Sequence, residues 1–251
     1  MKTLIIDGDI VAYRASWSCN KDTEKEALDK VDEIIDYIFK DCTGGPYLGL
    51  EKYFLYTTGK TNFRHDVATT APYKGNRKDT DKPVHLKAVY QHLATKWQSI
   101  ESINEEADDL VGIKSAELGE DCIVITVDKD MLQLPCEHFN PTTGVRKTVT
   151  TLEGLRFFYS QMLTGDKVDN IIGLFRVGPV KAYKALEDCE NESDLMTAVV
   201  KTYAEHTDYD DKDYDFIMDR IIENGKLLWL RREVGQVWRP YILEVPDAKE
   251  E

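Results

Sequence analysis

Along the first 150 residues, short apolar runs alternate with longer stretches in which apolar positions recur at helical spacing. Residues 3–6, Thr-Leu-Ile-Ile, are apolar and partly β-branched and end on Asp7-Gly8-Asp9, the pattern of a buried strand followed by a sharp turn. Leu28, Val31, Ile34, Ile35 and Ile38 form one stripe and predict a helix over 27–39. Residues 53–57 read as a second strand and 122–127 as a third. Between them, 85–97 reads as a helix through Leu86, Val89, Tyr90, Leu93 and Trp97, and 105–118 as another. Strands alternating with helices predict an α/β fold with a parallel, doubly wound sheet, whose functional residues gather beyond the carboxyl ends of its strands. After Leu152 the strand signal fades, and 152–163, 179–186, 193–203 and 214–229 read as helices. The expected organisation is an α/β domain over 1–150 followed by a helical portion over 151–251.

Composition narrows the class. No apolar run approaches the roughly 20 residues a membrane span needs, and the apolar start stops at Asp7, so it reads as a first strand and not as a signal peptide. The cysteines, Cys19, Cys42, Cys122, Cys136 and Cys189, form no C-x-x-C pair and have no nearby histidine set. That pattern argues against a zinc site and a disulfide framework and for a reducing cytoplasm. The formal charge of −14 would suit a nucleic-acid enzyme poorly if it were evenly spread. It is not. Residues 60–87 hold Lys60, Arg64, Lys74, Arg77, Lys78, Lys82 and Lys87 against Asp66, Asp79 and Asp81, a local +4. The acidic run 208–215 is expected to be a solvated loop or helix start.

The acids occur in clusters: Asp7; Glu106, Asp108 and Asp109; Asp128 and Asp130; Asp166 and Asp169. Asp7 follows the first strand and Asp128 the third, so two strands deliver carboxylates to one sheet edge. Glu106 and Asp109, three apart at a helix start, share a face, as do Asp166 and Asp169 if helical. Asp128 and Asp130 point the same way if the chain stays extended. Gathering so much negative charge without cations would raise the carboxyl pKa values and destabilise the fold. Hard divalent cations with oxygen ligands, Mg²⁺ or Mn²⁺, remove that cost. Two such ions about 4 Å apart can activate a water and stabilise the leaving oxygen of a phosphodiester. Each cluster alone also suits a helix dipole or an exposed turn; their coincidence in one chain favours a metal site.

These residues resemble the 5′-nuclease family, the flap endonucleases and 5′–3′ exonucleases, over about residues 3–190. The motifs stand in family order: Leu4-Ile-Ile-Asp7-Gly-Asp9, Phe63-Arg64 with Pro72-Tyr-Lys-Gly-Asn-Arg77, Glu106-Ala-Asp-Asp109, Val127-Asp-Lys-Asp130 and Gly165-Asp-Lys-Val-Asp-Asn170. The stretch 78–83 and the late Trp238-Arg-Pro240 are most similar to the short exonucleases of tailed phages. The resemblance implies a nuclease-like sheet with a helical arch at about 60–90 and a C-terminal, all-helical portion carrying a helix–turn–helix-type DNA-binding hairpin. It implies metal-ligand roles for Asp7, Glu106, Asp108, Asp109, Asp128, Asp130, Asp166 and Asp169, with two Mg²⁺ or Mn²⁺ ions. Lys74 and Arg77, with Asp128, would be catalytic, the two cations meeting the scissile phosphate. Arg64, Tyr73, Lys78, Gly178 and Lys181 would contact nucleic acid, Tyr73 either by stacking on a base or as a packing anchor. The expected substrates are DNA with 5′ ends, flaps or RNA–DNA junctions, in phage-type replication or recombination in the cytoplasm.

Two departures stand out. Family members commonly carry an aspartate just after the second strand, where this chain has Thr57-Thr58-Gly59. The first ion is then a ligand short, or another acid, such as Asp9, completes its shell. Arg176 stands where a glycine is expected in the hairpin turn, although Gly178-Pro179 still suits a helix N-terminus. A ribonuclease on the same sheet and a DNA-binding protein with weakened catalysis remain the alternatives.

Overall fold

The computed structural model describes residues 2–43, 53–77 and 81–241. The elements in chain order are β1 (Thr3–Asp7), α1 (Gly8–Ser18), α2 (Glu24–Thr43), β2 (Tyr53–Thr57), α3 (Arg64–Val67), α4 (Leu86–Lys96), β3 (Ile100–Glu101), α5 (Ala107–Leu118), β4 (Cys122–Ile125), β5 (Glu137–Phe139) and β6 (Arg146–Thr148). They continue as α6 (Thr151–Thr164), β7 (Gly165–Asp166), β8 (Ile171–Ile172), α7 (Pro179–Leu186), α8 (Glu192–Ala204) and α9 (Tyr214–Leu228). Two compact units result. The first comprises Met1–Phe63, Asp79–Thr150 and Leu230–Gln236; the second comprises Arg64–Lys78, Thr151–Trp229 and Val237–Glu251. The chain changes unit at Thr150, and it also lends 64–78 to the helical unit and 230–236 to the sheet unit.

In the first unit the sheet order is β3-β2-β1-β4-β5-β6. Every pairing is parallel except β5 with β6. Alternation along β1 sends Leu4 and Ile6 to one face and Ile5 to the other. The first face packs Val31, Ile35 and Ile38 of α2, Val11 and Ala15 of α1, and Val89 and Leu93 of α4. The second packs Ala107 and Val111 of α5 with Val124, Met131, Leu134 and Leu230. Helices on both faces leave β1 and β4 buried throughout, as a central parallel pair must be. The chain passes from β1 into α1 with no intervening loop. Gly8 makes this possible, because a Cβ there would stand 2.5 Å from the Tyr56 carbonyl oxygen.

In the second unit, α6, α8 and α9 surround a core of Phe158, Tyr159, Leu163, Leu195, Val199, Tyr203 and Ile221, and α7 adds Ala182 and Leu186. Tyr73 belongs to this core. The acidic run 208–215 is partly structural: Asp208 accepts the Phe175 amide at 3.0 Å, and Asp213 caps α9 by accepting the Phe216 amide at 2.9 Å.

Candidate metal and phosphate site

In the first unit the acids stand at the carboxyl edge of the sheet because β1 and β4 end there. Asp7 closes β1 and is 3% exposed. It caps α1: its Oδ1 accepts the amides of Asp9 at 3.1 Å and Ile10 at 3.3 Å. Its Oδ2 accepts the Thr126 hydroxyl at 3.1 Å. The same hydroxyl oxygen accepts the Asp128 amide at 3.0 Å, so one threonine ties the ends of β1 and β4 together. Asp128 is exposed, and its Oδ1 accepts the Asp130 amide at 2.9 Å. Burial, and then the charge of Asp9, push the Asp7 carboxyl up to about 7. The charge of Asp128 adds to this, while the Ile10 amide and Thr126 hydroxyl oppose it. This edge holds more negative charge than its hydrogen bonds compensate.

Asp9 lies on the first turn of α1. Its carboxylate accepts the Thr58 amide at 3.0 Å to Oδ1 and the Tyr90 hydroxyl at 3.0 Å, also to Oδ1. Burial, and then the charge of Asp9, push the Tyr90 phenol up, so it stays a donor. The Thr58 hydroxyl accepts the Ala107 amide at 2.9 Å, at the start of α5.

The α5 acids divide by role. Glu106 is the N-cap residue and is buried, and Asp108 is half-buried. Asp109 is fully buried. Its Oδ2 accepts the Glu106 amide at 3.1 Å, and its Oδ1 accepts the Arg231 amide at 3.2 Å. Asp109 therefore acts as an internal brace of the helix N-terminus. Arg231 also pairs with Glu105 at 2.8 Å and lies 4.0 Å from the Phe63 ring.

In the second unit, Asp166 and Asp169 meet the basic segment 72–77. Asp166 is buried and accepts the amides of Val168 at 2.6 Å and Asp169 at 3.3 Å. Asp169 receives the Arg77 guanidinium at 2.5 Å on Oδ1, the Tyr73 hydroxyl at 2.8 Å on Oδ2, and Lys74 Nζ at 3.8 Å. Main-chain bonds fasten the same segment: the Lys74 amide donates to Asp169 O at 2.9 Å and Arg77 Nε to Val168 O at 3.1 Å. Lys74 is held with φ 53°, in the left-handed region where a lysine costs energy. Gly178 and Lys181 are exposed at and just inside the N-terminus of α7.

Two of the residues expected to contact nucleic acid are buried within the second unit. Arg64 is 1% exposed and donates to the carbonyls of Leu227 and Trp229, both at 2.9 Å. A guanidinium buried among main-chain acceptors anchors α3 and is not presented to nucleic acid. Tyr73 is 4% exposed and donates its hydroxyl to Asp169, the arrangement of the packing-anchor alternative. Lys78 lies outside the described residues. The sequence reading also left Thr126, Thr58, Tyr90 and Arg231 unassigned. Nothing local in the sequence marks them, because the partners they meet lie far along the chain.

Among the described residues, no group of three or more His, Cys, Asp or Glu side chains is gathered tightly enough to hold a metal ion as it stands. The donor chemistry nevertheless fits a hard divalent cation: oxygen only, mostly carboxylate, with the Asp7 carboxyl pushed up to about 7 by burial and then by the charge of Asp9.

Residues 2–156 match the model of the 5′-3′ exonuclease N-terminal resolvase-like domain. A 5′-3′ exonuclease of Buchnera aphidicola subsp. Schizaphis graminum is 24% identical over 220 residues, spanning 79% of this chain and 74% of that protein. The bacteriophage T5 5′-exonuclease solved with divalent zinc shares the fold at TM-score 0.67 and 18% identity, over 91% of this chain and 89% of that one. A T5 flap endonuclease solved with DNA and metal ions gives 0.66 at 17% identity, over 90% and 89%. The matched domain covers the first unit's acids and the basic segment together, and this chain therefore belongs to the 5′-3′ exonuclease family of enzymes, with the fold of the phage 5′-exonucleases and flap endonucleases.

Proposed function

We propose that this protein is a metal-dependent 5′–3′ exonuclease acting on DNA, with structure-specific flap endonuclease and RNA-primer removal activity in phage-type replication or recombination. The observation that carries the reading is the buried Asp7 at the end of β1, pushed up to about 7 beside Asp9 and Asp128, in a chain whose family is that of 5′-3′ exonucleases. A site so arranged gains stability from a cation. Asp7, Glu106, Asp108 and Asp128 are assigned to a first Mg²⁺ or Mn²⁺, and Asp130, Asp166 and Asp169 to a second. Bound divalent ions would activate a water and stabilise the leaving oxygen of the phosphodiester.

The chain's own residues supply the rest. Thr126 fixes Asp7 and Asp128 in register, so that their carboxylates keep one geometry. Asp109 braces the Glu106 turn from inside. Lys74 and Arg77 are assigned to the scissile phosphate, where positive charge offsets the charge that builds in the transition state. Asp169 holds both cations in place by hydrogen bond and ion pair. Gly178 and Lys181 are assigned to duplex backbone, with an exposed helix start offering amides to a phosphate. Among the described residues no helix is long and apolar enough to cross a membrane, and the proposed setting is the cytoplasm.

The test is product analysis on a 5′-labelled flap, a blunt duplex, an RNA–DNA junction and single-stranded RNA, with Mg²⁺, with Mn²⁺ and with EDTA. The expected result is metal-dependent release of mononucleotides or short oligonucleotides from DNA 5′ ends. Cleavage of RNA alone, or equal cleavage in EDTA, would overturn the reading.

A further inference from the structure

Asp9 is an acid of the sheet edge whose carboxylate is held by two donors from outside its own helix. Most first-turn acids of helices face solvent and interact with the helix dipole. Asp9 instead is gripped by two donors from separate elements: the Thr58 amide just past β2 at 3.0 Å, and the Tyr90 phenol of α4 at 3.0 Å. Both short bonds fall on Oδ1; Oδ2 takes only a second, longer contact with the same amide, at 3.3 Å. One oxygen is thus used for positioning and the other keeps lone-pair capacity. The amide of Asp9 in turn donates to Asp7 Oδ1 at 3.1 Å, which joins the two acids in one turn. Thr58 also reaches α5, where its hydroxyl caps the Ala107 amide between Glu106 and Asp108. A single residue at the end of β2 therefore fixes two acid-bearing helix starts.

The geometry points to Asp9 as a further oxygen ligand of the cation assigned to Asp7 and Asp128, with Thr58 and Tyr90 as the residues that position it. This rests on the metal-dependent reading above. A ligating carboxylate held by hydrogen bonds from a second layer of residues is the usual architecture of a metal site, and loss of such a partner typically weakens affinity about 10- to 100-fold. An acid with only a capping role needs no phenol from another helix.

The experiment is titration of Mg²⁺ and Mn²⁺ into the full chain by calorimetry, without DNA, on the wild type, Asp9→Asn, Tyr90→Phe and Asp128→Ala. Asparagine can accept both hydrogen bonds, so Asp9→Asn should fold and melt in EDTA no lower than the wild type. It should bind cation at least about 10-fold more weakly, and Tyr90→Phe, which removes one of the two donors to Asp9 Oδ1, should follow in the same direction. If Asp128→Ala weakens binding and Asp9→Asn does not, the inference about Asp9 is wrong and the metal reading stands. If the wild type binds no cation, or Asp128→Ala binds as well as the wild type, the metal reading itself fails and the role of Asp9 with it.

Discussion

Replacing Asp7 by asparagine should stabilise the cation-free protein at neutral and alkaline pH while destroying its proposed activity. Asparagine is as good an N-cap as aspartate, so the amides of Asp9 and Ile10 keep their acceptor. The Thr126 hydroxyl can reverse its role and accept from the new amide. What is lost is the charge. An aspartate that titrates at 3.8 when free and at about 7 when folded disfavours the fold once ionised, at 1.36 kcal/mol for each tenfold change, or on the order of 4 kcal/mol at pH 8. The sign follows from proton binding: between 3.8 and about 7 the folded state holds a proton that the unfolded state has released. Stability is therefore fullest below 3.8, declines as pH rises and is lost through about 7, and the asparagine variant escapes that loss. For a protein of this size 1 kcal/mol moves Tm by about 2–4 °C, so Asp7→Asn should melt roughly 8–16 °C above the wild type in EDTA at pH 8. The gap should close toward pH 4. Thermal melts at several pH values, with and without Mg²⁺, are the assay. Mg²⁺ should raise the Tm of the wild type by more than that of the variant. An equal or lower Tm for Asp7→Asn at pH 8, or a gap independent of pH, would refute the electrostatic argument.

Lys74→Ala should slow cleavage about 10²–10³-fold, the cost of losing one preorganised donor to a developing charge, with a much smaller effect on DNA affinity; a change in affinity and its salt slope alone would make Lys74 a tether. Asp128→Ala should abolish cleavage in Mg²⁺ and leave DNA binding measurable by gel shift in EDTA. Glu223 is opposed by burial, but the Thr70 hydroxyl, the amides of Thr70 and Thr69, and Arg220 pull its carboxyl down to about 2, so its contribution is present above 4.5 and lost as pH falls toward 2. Glu223→Gln should then cost about 3 kcal/mol at pH 7 by leaving the Arg220 charge with neutral acceptors, among them Thr70 and Ile172, with the deficit shrinking in melts taken below pH 4. Gly8→Ala should lower Tm by forcing β2 away from the start of α1, an overpacking cost of about 1–3 kcal/mol.

Most of the fold was legible where apolar spacing was regular. The helices α2, α4 and α5 and the strands β1, β2 and β4 fall within a few residues of the positions their stripes predict. The helix α1 was missed because Asp7-Gly8-Asp9 has the composition of a turn. The structure shows why the same residues start a helix: Asp7 caps it, and Gly8 admits the close approach to Tyr56. The buried side of α1 is built from small residues, Ala12, Ala15 and Ser16 beside Val11, which leave almost no stripe to read. The strands β5 and β6 were missed for another reason. Arg146–Thr148 is exposed along its length, and only pairing with β5 makes it a strand.

The acids were legible because each follows a strand or opens a helix, positions that local sequence marks. The groups that aim them were not, because their chemistry is ordinary and their partners are remote. Thr58 meets Asp9 across 49 residues, Tyr90 across 81, and Thr126 meets Asp7 across 119. A threonine or tyrosine in an amphipathic stretch carries no sign of such a duty. Arg64 shows the converse, since a cation in a basic stretch reads as a phosphate contact until the fold supplies the carbonyls of Leu227 and Trp229 to bury it. Local sequence determines which charges the chain carries to the sheet edge. Whether a given charge meets solvent, substrate or another part of the chain is decided by contacts a hundred residues away. This is why Asp109 and Asp128, indistinguishable as members of acidic clusters, end as an internal brace and an exposed candidate ligand.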